Sequence, residues 1–158
     1  MFGSRKRIRL PHDVYRQGHV FSVTMTTWQR YPWFGLHPEL STLGVGELQR
    51  LSSEDQVKLF AWCFMPDHVH VLIQCPDLMS WVRRFKGRLA HRAALLEPKR
   101  RLWQRSFYDH ALRKEEDLEK AAIYIWGNPA RAGLVPHAGE YQWSGSGVWE
   151  DWKSRMLP

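Results

Sequence analysis

The sequence has few cysteines and no long apolar run. Only Cys63 and Cys75 are present among its 158 residues, too few for a disulfide framework in a domain of this size. No apolar stretch approaches the roughly 18 residues of a membrane-spanning helix, and no apolar segment follows the N-terminal charges as in a secretory signal. Internal repeats and a phosphate-binding P-loop are also missing. We therefore expect one soluble, cytoplasmic domain.

Acidic residues are scarce relative to basic ones. The chain has 23 Lys and Arg against 16 Asp and Glu, a net charge of +7. One basic cluster contains Glu97 as its only acid and carries more net positive charge than the whole chain: Arg83, Arg84, Lys86, Arg88, Arg92, Lys99, Arg100, Arg101 and Arg105. A smaller one is Arg5, Lys6, Arg7 and Arg9. With 13% aromatic residues, this composition favours unpaired nucleic acid as a partner; a basic protein with a solvated surface is the alternative.

Alternating apolar and polar residues predict four β-strands. They cover residues 20–28, 57–64, 68–75 and 102–113. The second and third strands flank a short connection that contains Pro66, so they should form a hairpin-like pair.

Two helices and one weaker helical segment are predicted. Asp77 can cap a helix over residues 78–96, whose apolar stripe faces a sheet while the other faces carry the basic cluster. A second helix begins in the acidic stretch after Lys114 and stops before Pro129. Residues 29–56 are interrupted by Pro32, Pro38, Gly44 and Gly46, and they predict a mediocre helix at best.

The order of these elements indicates an α+β fold. Strand, weak helix, strand, strand, helix and strand form the ferredoxin-like βαββαβ unit, an antiparallel sheet with helices on one face. The whole chain, residues 1–158, is expected to be a single domain. Its last part, from about residue 136 to 158, is rich in Gly, Ser and Trp and should be a surface-wrapping tail.

Two histidines lie one residue apart in the stretch MPDHVH, residues 65–70. Side chains at i and i+2 of a strand share a face, so His68 and His70 project together. Burying two imidazoles costs free energy unless each has a partner, and one metal ion serves both. The more common origin of a His-x-His is two unrelated, hydrogen-bonded histidines. A structural zinc is disfavoured because Cys75 should face away from the pair and the cysteine spacing fits no zinc pattern.

A tyrosine and an asparagine form a second candidate pair. Tyr124 lies about 120° around the predicted helix from its sheet-facing side. Asn128 follows at i+4, so the two side chains are neighbours. They are plausible as a nucleophile and a third metal ligand. The alternative is that Tyr124 rims the core and Asn128 only caps the helix before Pro129.

Three motifs in order carry a family resemblance: MPDHVH at 65–70, LWQRSFYDHALR at 102–113 and IYIWGNPARAGLV at 123–135. They resemble the single-tyrosine HUH transposases and, within them, the REP-associated tyrosine transposases, from about residue 15 to 146. The resemblance implies that His68 and His70 are metal ligands, that Asn128 is an additional polar ligand and that Tyr124 is the nucleophile. Tyr108 is a rival nucleophile, but it lacks the Asn-Pro context.

The resemblance also implies a reaction. Single-stranded DNA would be cleaved and rejoined through a 5′-phosphotyrosine, at a short palindromic hairpin with a flanking tetranucleotide. The metal would be Mg²⁺ or Mn²⁺, and the basic cluster of residues 83–105 would hold backbone phosphates. A REP-associated type would act as a monomer and an insertion-sequence type as a homodimer.

Two other function classes fit the same sequence. One is a non-catalytic nucleic-acid-binding module derived from a transposase. The other is a small metal-dependent hydrolase that uses metal-bound water and forms no covalent intermediate.

Overall fold

The described part of the chain forms one five-stranded antiparallel sheet. The structure is a computed structural model that describes residues 19–54, 56–113 and 117–156; the predicted N-terminal basic cluster lies outside these ranges. The strands are β1 (Val20–Thr26), β2 (Lys58–Met65), β3 (His68–Gln74), β4 (Tyr108–Ala111) and β5 (Ser144–Gly145). Their order across the sheet is β4-β1-β3-β2-β5. The predicted hairpin is confirmed, because β2 and β3 pair across the two-residue turn Pro66–Asp67.

Helices cover both faces of this sheet. They are α1 (Trp33–Leu36), α2 (Pro38–Ser52), α3 (Leu78–Leu96), α4 (Leu118–Trp126) and α5 (Asn128–Arg131). The α2 and α3 helices pack with one face of the sheet in a core that contains Leu48, Phe85 and Val71. The predicted α+β, ferredoxin-like unit is confirmed as β1-α2-β2-β3-α3-β4, with both of its helices on one face. The α4 helix follows the unit and packs on the opposite face, against Leu72.

The weak helix predicted between β1 and β2 is a full helix in the structure. Pro38 stands at the start of α2, where its missing N–H costs nothing. Gly44 lies where α2 approaches the sheet, and an added Cβ there would be only 2.4 Å from the Phe64 ring. The helix is therefore stabilised by close tertiary packing, which a propensity argument does not detect.

The strand predicted over residues 102–113 is wrong for its first half. Only Tyr108–Ala111 pairs with β1, apart from an isolated bridge between Trp103 and Thr27. Lys86 Nζ donates to the carbonyl oxygens of Gln104 and Ser106, at 2.9 and 2.8 Å. Ser106 has a left-handed φ of 68°, which extended strand geometry does not allow. The apolar alternation arose because Trp103 and Phe107 are both buried beside the sheet.

The C-terminal segment belongs to the core around α4. Ser144 and Gly145 pair with the edge of β2, while Tyr141 and Trp152 are buried with α4. Gly145 packs closely against Trp62, because an added Cβ would lie 2.4 Å from the Trp62 ring. The Gly145 carbonyl oxygen accepts a hydrogen bond from Trp126 Nε1 at 2.9 Å. None of the described helices combines the length and apolar character needed to cross a membrane.

Candidate active site

The two histidines of β3 lie side by side on the sheet face that α4 covers. Their ring centroids are 4.7 Å apart and the rings are perpendicular. In the β1–β3 ladder, Thr24 is opposite His70 and Thr26 is opposite His68. The intervening Val69 belongs to the core on the other face. Strand alternation thus predicted the shared face correctly.

Each imidazole is oriented by a hydrogen bond to its Nδ1. His70 Nδ1 is 2.9 Å from Thr24 Oγ1, and His68 Nδ1 is 2.7 Å from Asp67 Oδ1. Arg30 Nε donates to the other oxygen of Asp67 at 2.9 Å. Within the described ranges, neither histidine uses its Nε2 in a hydrogen bond. Histidines that bind metals are commonly held in this way, with one nitrogen fixed by a neighbour and the other left as a ligand.

Burial keeps one of these imidazoles neutral. Desolvation, followed by the positive charges of His68, Arg131 and Arg30, lowers the pKa of His70 to about 3. The neutral form is the one that binds metal ions. The hydrogen bond from His68 lowers the pKa of Asp67, so its carboxylate remains charged and holds that ring.

The cysteines do not complete a zinc site with the histidines. Cys63 is opposite His70 in the β2–β3 ladder and so shares its face. Burial raises the pKa of the Cys63 thiol to about 12, and no group of three or more His, Cys, Asp and Glu side chains able to hold a metal occurs in the described ranges. Cys75 is buried in the core on the other face, as its spacing predicted.

Tyr124 and Asn128 lie at the junction of α4 and α5. Tyr124 is 64% exposed, whereas Ala122 and Ile125 are buried toward the sheet. The α4 helix ends at Trp126 with Gly127 as its C-cap, so Asn128 begins α5 rather than capping α4. The alternative that Asn128 only caps α4 is therefore not supported, and Tyr124 is largely exposed to solvent.

A single arginine joins these two residues. The Arg131 guanidinium stacks on the Tyr124 ring with its Cζ 4.1 Å from the ring centroid. Its Nη2 donates to the Tyr124 carbonyl oxygen at 2.6 Å and to Asn128 Oδ1. Asn128 Nδ2 is buried and makes no hydrogen bond within the described part of the chain. The charge of Arg131 also contributes to the lowered pKa of His70, so the tyrosine cluster and the histidine pair share one electrostatic environment.

The rival tyrosine lies on the same face. Tyr108 of β4 is opposite Thr24, and Thr24 is opposite His70, so the three side chains point to one side. Tyr108 is 51% exposed. It lines an open cavity of about 160 Å³ together with Thr24, Thr26, Gln104, Arg105, Ser106 and Phe107.

The predicted DNA-binding cations are divided between two regions. Arg83, Arg84, Lys86, Arg88 and Arg92 lie on α3, on the face opposite the histidines, and Lys99, Arg100, Arg101 and Arg105 follow that helix. Arg84 pairs with Glu54 at 2.7 Å and Arg88 with Glu47 at 3.6 Å. Four of the cations have no ion-pair or hydrogen-bond partner among the described residues: Arg83, Arg92, Lys99 and Arg105.

Two of these arginines are stacked beside the histidine end of the sheet. Arg101 lies over the half-exposed Trp28 ring at 4.7 Å, and Arg100 lies over Tyr31 at 3.8 Å. The preceding Thr27 donates its backbone N–H to the carbonyl of Asp67 at 3.0 Å. An arginine–aromatic surface thus lies next to the Asp67–His68 pair.

Sequence reasoning did not assign roles to Thr24, Asp67 or Arg131. Arg131 could have been found, because it follows Tyr124 by seven residues and Asn128 by three, both helical spacings. Thr24 could not, since the strand register that places it beside His70 is not visible in the chain.

This combination of fold and side chains defines a class. A ferredoxin-like antiparallel sheet carries a His-x-His pair on one face, and the helix on that face bears an exposed tyrosine, as expected from the resemblance to single-tyrosine transposases. The sequence model of the family described as "Transposase IS200 like" matches residues 20–128. The chain belongs to this family.

Similar proteins agree with the resemblance drawn from the motifs. A REP-associated tyrosine transposase of Escherichia coli (strain K12) is 30% identical over 88 residues, 53% of this chain and 51% of that protein. A putative REP-associated tyrosine transposase of Haemophilus influenzae is 28% identical over 112 residues, 62% of each chain. The match therefore spans about half to three fifths of the length of these curated relatives.

A solved structure has the same fold. It is described as the REP-associated tyrosine transposase bound to a REP hairpin. It superposes with a TM-score of 0.71 at 21% identity, covering 97% of this chain and 88% of that one.

Proposed function

We propose that this protein is a transposase that cleaves and rejoins single-stranded DNA at REP-like palindromic hairpins through a phosphotyrosine on Tyr124. Membership of the transposase family supports the reaction class. The observation that carries the choice of nucleophile is the position of Tyr124: it is exposed, it is held by Arg131, and it belongs to α4, the helix that covers the sheet face of His68 and His70.

The covalent step exchanges one phosphodiester for another. The Tyr124 phenolic oxygen attacks the scissile phosphorus, the Tyr–O–P bond forms, and the bond from phosphorus to the 3′ oxygen breaks. The phenol loses one proton to solvent and the departing 3′ oxygen gains one. The DNA is left with a 5′-phosphotyrosine and a free 3′-hydroxyl. Rejoining is the reverse attack by a 3′-hydroxyl, so no ATP is required.

The donor atoms on this face fit a divalent cation, Mg²⁺ or Mn²⁺. The free Nε2 atoms of His68 and His70 would supply two ligands. Asn128 Oδ1 already accepts from Arg131 but has a second lone pair for a third bond. No group of three or more His, Cys, Asp and Glu side chains able to hold a metal occurs in the described ranges, so the third protein ligand proposed here is the amide of Asn128, with DNA oxygens or water as the remaining ligands. When bound, the ion would offset the charge of the scissile phosphate.

Hairpin DNA is the proposed partner. One structural neighbour is described as bound to a REP hairpin, and this chain carries a net charge of +7. The cavity beside Tyr108 and the arginine–aromatic surface at Trp28 flank the histidines, where they would contact the unpaired nucleotides next to the stem. As a REP-associated type the protein would act as a monomer, with a homodimer as the insertion-sequence alternative.

The experiment that tests this function is covalent trapping. A 5′- or 3′-labelled hairpin oligonucleotide with its single-stranded flank is incubated with Mn²⁺ or Mg²⁺ and resolved on denaturing gels. We expect wild type to form a protein–DNA adduct and Tyr124→Phe to form none. Tyr108→Phe is the matched control, since it removes the same hydroxyl from the rival tyrosine.

Other outcomes identify the competing functions. An adduct from Tyr124→Phe equal to that of wild type contradicts the assigned nucleophile, and loss only in Tyr108→Phe transfers the role to Tyr108. Salt-sensitive binding without cleavage under either cation indicates the non-catalytic module. If cleavage occurs without an adduct and is unaffected by Tyr124→Phe, the protein is the metal-dependent hydrolase.

A further inference from the structure

We propose that Arg131 is the positioning residue of this site, and that it fixes the Tyr124 ring and the Asn128 amide relative to each other. The inference rests on the proposed function, because it concerns the tyrosine assigned as nucleophile. It adds a residue to which neither the motifs nor the family resemblance assigned a role.

The first support is the number of contacts made by one planar group. The guanidinium stacks on the Tyr124 ring at 4.1 Å and its Nη2 donates to the Tyr124 carbonyl at 2.6 Å. The same Nη2 donates to Asn128 Oδ1. Both hydrogens of that nitrogen are therefore used, one on each residue. The planar Arg131 guanidinium therefore contacts the side chain of Tyr124, the backbone of Tyr124 and the side chain of Asn128 at once.

The second support is the glycine beneath the guanidinium. A Cβ added at Gly127 would lie 2.5 Å from Arg131 Nη1 and 3.5 Å from Cζ. Gly127 has ordinary helical angles, φ −75° and ψ −13°, so its backbone conformation does not require glycine. A methyl group at this position would therefore displace the tip of the Arg131 side chain, and it would also lie 3.2 Å from the Ile123 carbonyl oxygen.

The third support is that Tyr124 has little else to hold it. The residue is 64% exposed, and an exposed aromatic side chain exchanges between rotamers on a fast timescale. The α4 helix ends at Trp126 and α5 begins at Asn128, so Tyr124 and Asn128 belong to two helices separated by Gly127. A contact that spans this break restricts both residues together. In-line attack is sensitive to such restriction, because a displacement of about 1 Å can cost orders of magnitude in rate.

Three variants separate positioning from other roles. Arg131→Gln removes the cation and the stacking plane. Arg131→Lys keeps the charge but loses the planar fork. Gly127→Ala keeps Arg131 and displaces its guanidinium. Gly46→Ala is the control, since it adds the same methyl group to an exposed helical glycine with nothing within 4 Å.

Each variant is measured for hairpin affinity in EDTA, for the single-turnover rate constant of adduct formation at saturating DNA, and for thermal unfolding. We expect Arg131→Gln and Gly127→Ala to lower the rate constant by about tenfold or more, with affinity and melting temperature close to wild type. Arg131→Lys should retain part of the rate. A merely structural role would move the melting temperature, and that result would overturn the proposal.

The remaining outcomes are also decisive. If affinity falls while the saturated rate constant is unchanged, Arg131 is a DNA phosphate contact and the positioning role is wrong. If both variants react at the wild-type rate while Tyr124→Phe is inactive, only the Arg131 inference fails. If Tyr124→Phe forms the adduct as well as wild type, the proposed function itself fails, whatever the Arg131 variants do.

Discussion

At the scale of single residues, His70 combines burial with a polar neighbour on each side. Thr24 fixes its Nδ1, His68 stands at 4.7 Å, and desolvation lowers its pKa to about 3. An imidazole in this environment stays neutral well below neutral pH. This geometry suits a metal ligand. In the metal-free protein it also makes folding stability sensitive to acid.

We expect this histidine to make the metal-free protein lose stability as the pH falls below about 6.5. The pKa is about 3 in the folded state against 6.5 for the free side chain, so the unfolded chain takes up the proton first. The contribution of neutral His70 to the free energy of unfolding is fully present above pH 6.5. It falls by at most about 1.4 kcal/mol per pH unit toward pH 3. Urea unfolding in EDTA between pH 7 and 4.5 measures it.

His70→Gln is the matched comparison for this pH series, because the amide stays neutral throughout. The difference in unfolding free energy between the two proteins should narrow as the pH falls. Parallel pH profiles for wild type and His70→Gln would show that this imidazole is not the group responsible.

Sequence reasoning at this scale succeeded where one element contains the whole pattern. Alternation within β3 placed His68 and His70 together, and helical spacing placed Tyr124 away from the core. It failed for partners that come from other elements. Thr24 reaches His70 only through the β1–β3 register, and no local pattern encodes the pairing of two distant strands.

At the scale of elements, α2 depends on one close approach. Gly44 lies against Phe64, which is fully buried between Phe34 and Phe85, so the ring has no space to yield. Gly46, two residues later on the same helix, faces open space. The two glycines of α2 therefore have different roles despite their similar sequence context.

We expect opposite effects from the same substitution at these two positions. Gly44→Ala should destabilise the protein by about 1–3 kcal/mol, because its methyl group overlaps the Phe64 ring. Gly46→Ala should stabilise it by about 0.5–1 kcal/mol through helix propensity and reduced unfolded-state entropy. Chemical denaturation of the two variants beside wild type gives both values, and destabilisation by Gly46→Ala or neutrality of Gly44→Ala would contradict the packing described for α2.

The elements differ in how far the sequence predicted them. The α3 helix begins and ends where expected, Leu78–Leu96, because the Asp77 side chain caps it and a regular apolar stripe runs along it. The second helix was predicted from Lys114 onward; residues 114–116 lie outside the described ranges, and within them the helix is Leu118–Trp126 with Asp117 as N-cap. Helix propensity underestimated α2, because the close packing at Gly44 that stabilises this helix is not visible in the local sequence. Apolar alternation made β4 too long, because Lys86 binds the backbone of the segment before the strand.

At the scale of the whole molecule, positive charge surrounds the sheet rather than concentrating at the histidines. Part of it is already neutralised in the folded chain, as in the Arg84–Glu54 pair. Arg92 on α3 and Arg105 beside the Tyr108 cavity have no ion-pair partner among the described residues. These two cations lie on different faces, so they can report which face the DNA follows.

We expect Arg105→Ala to weaken hairpin binding and to reduce the slope of log K against log salt by about 0.7–0.9, the loss of one phosphate contact. Arg92→Ala should do the same if the DNA extends around α3. The double variant Arg84→Ala/Glu54→Ala removes a neutralised pair without a change of net charge, and it should leave the slope unaltered. Fluorescence anisotropy titrations at several salt concentrations give the slopes. An Arg105→Ala slope equal to that of wild type would contradict a DNA path over the histidine face.

The two-residue turn at Pro66–Asp67 sets the register of β3 against β2. His68 and His70 lie on one face of β3 together with Leu72, whereas Val69 and Val71 line the core on the other face. If the turn were one residue longer, β3 could pair with β2 in a register shifted by one residue. His68 and His70 would then exchange faces of the sheet with Val69 and Val71. The shifted strand would place both imidazoles in the apolar core that now contains Val69 and Val71, so the protein would lose stability together with its histidine pair.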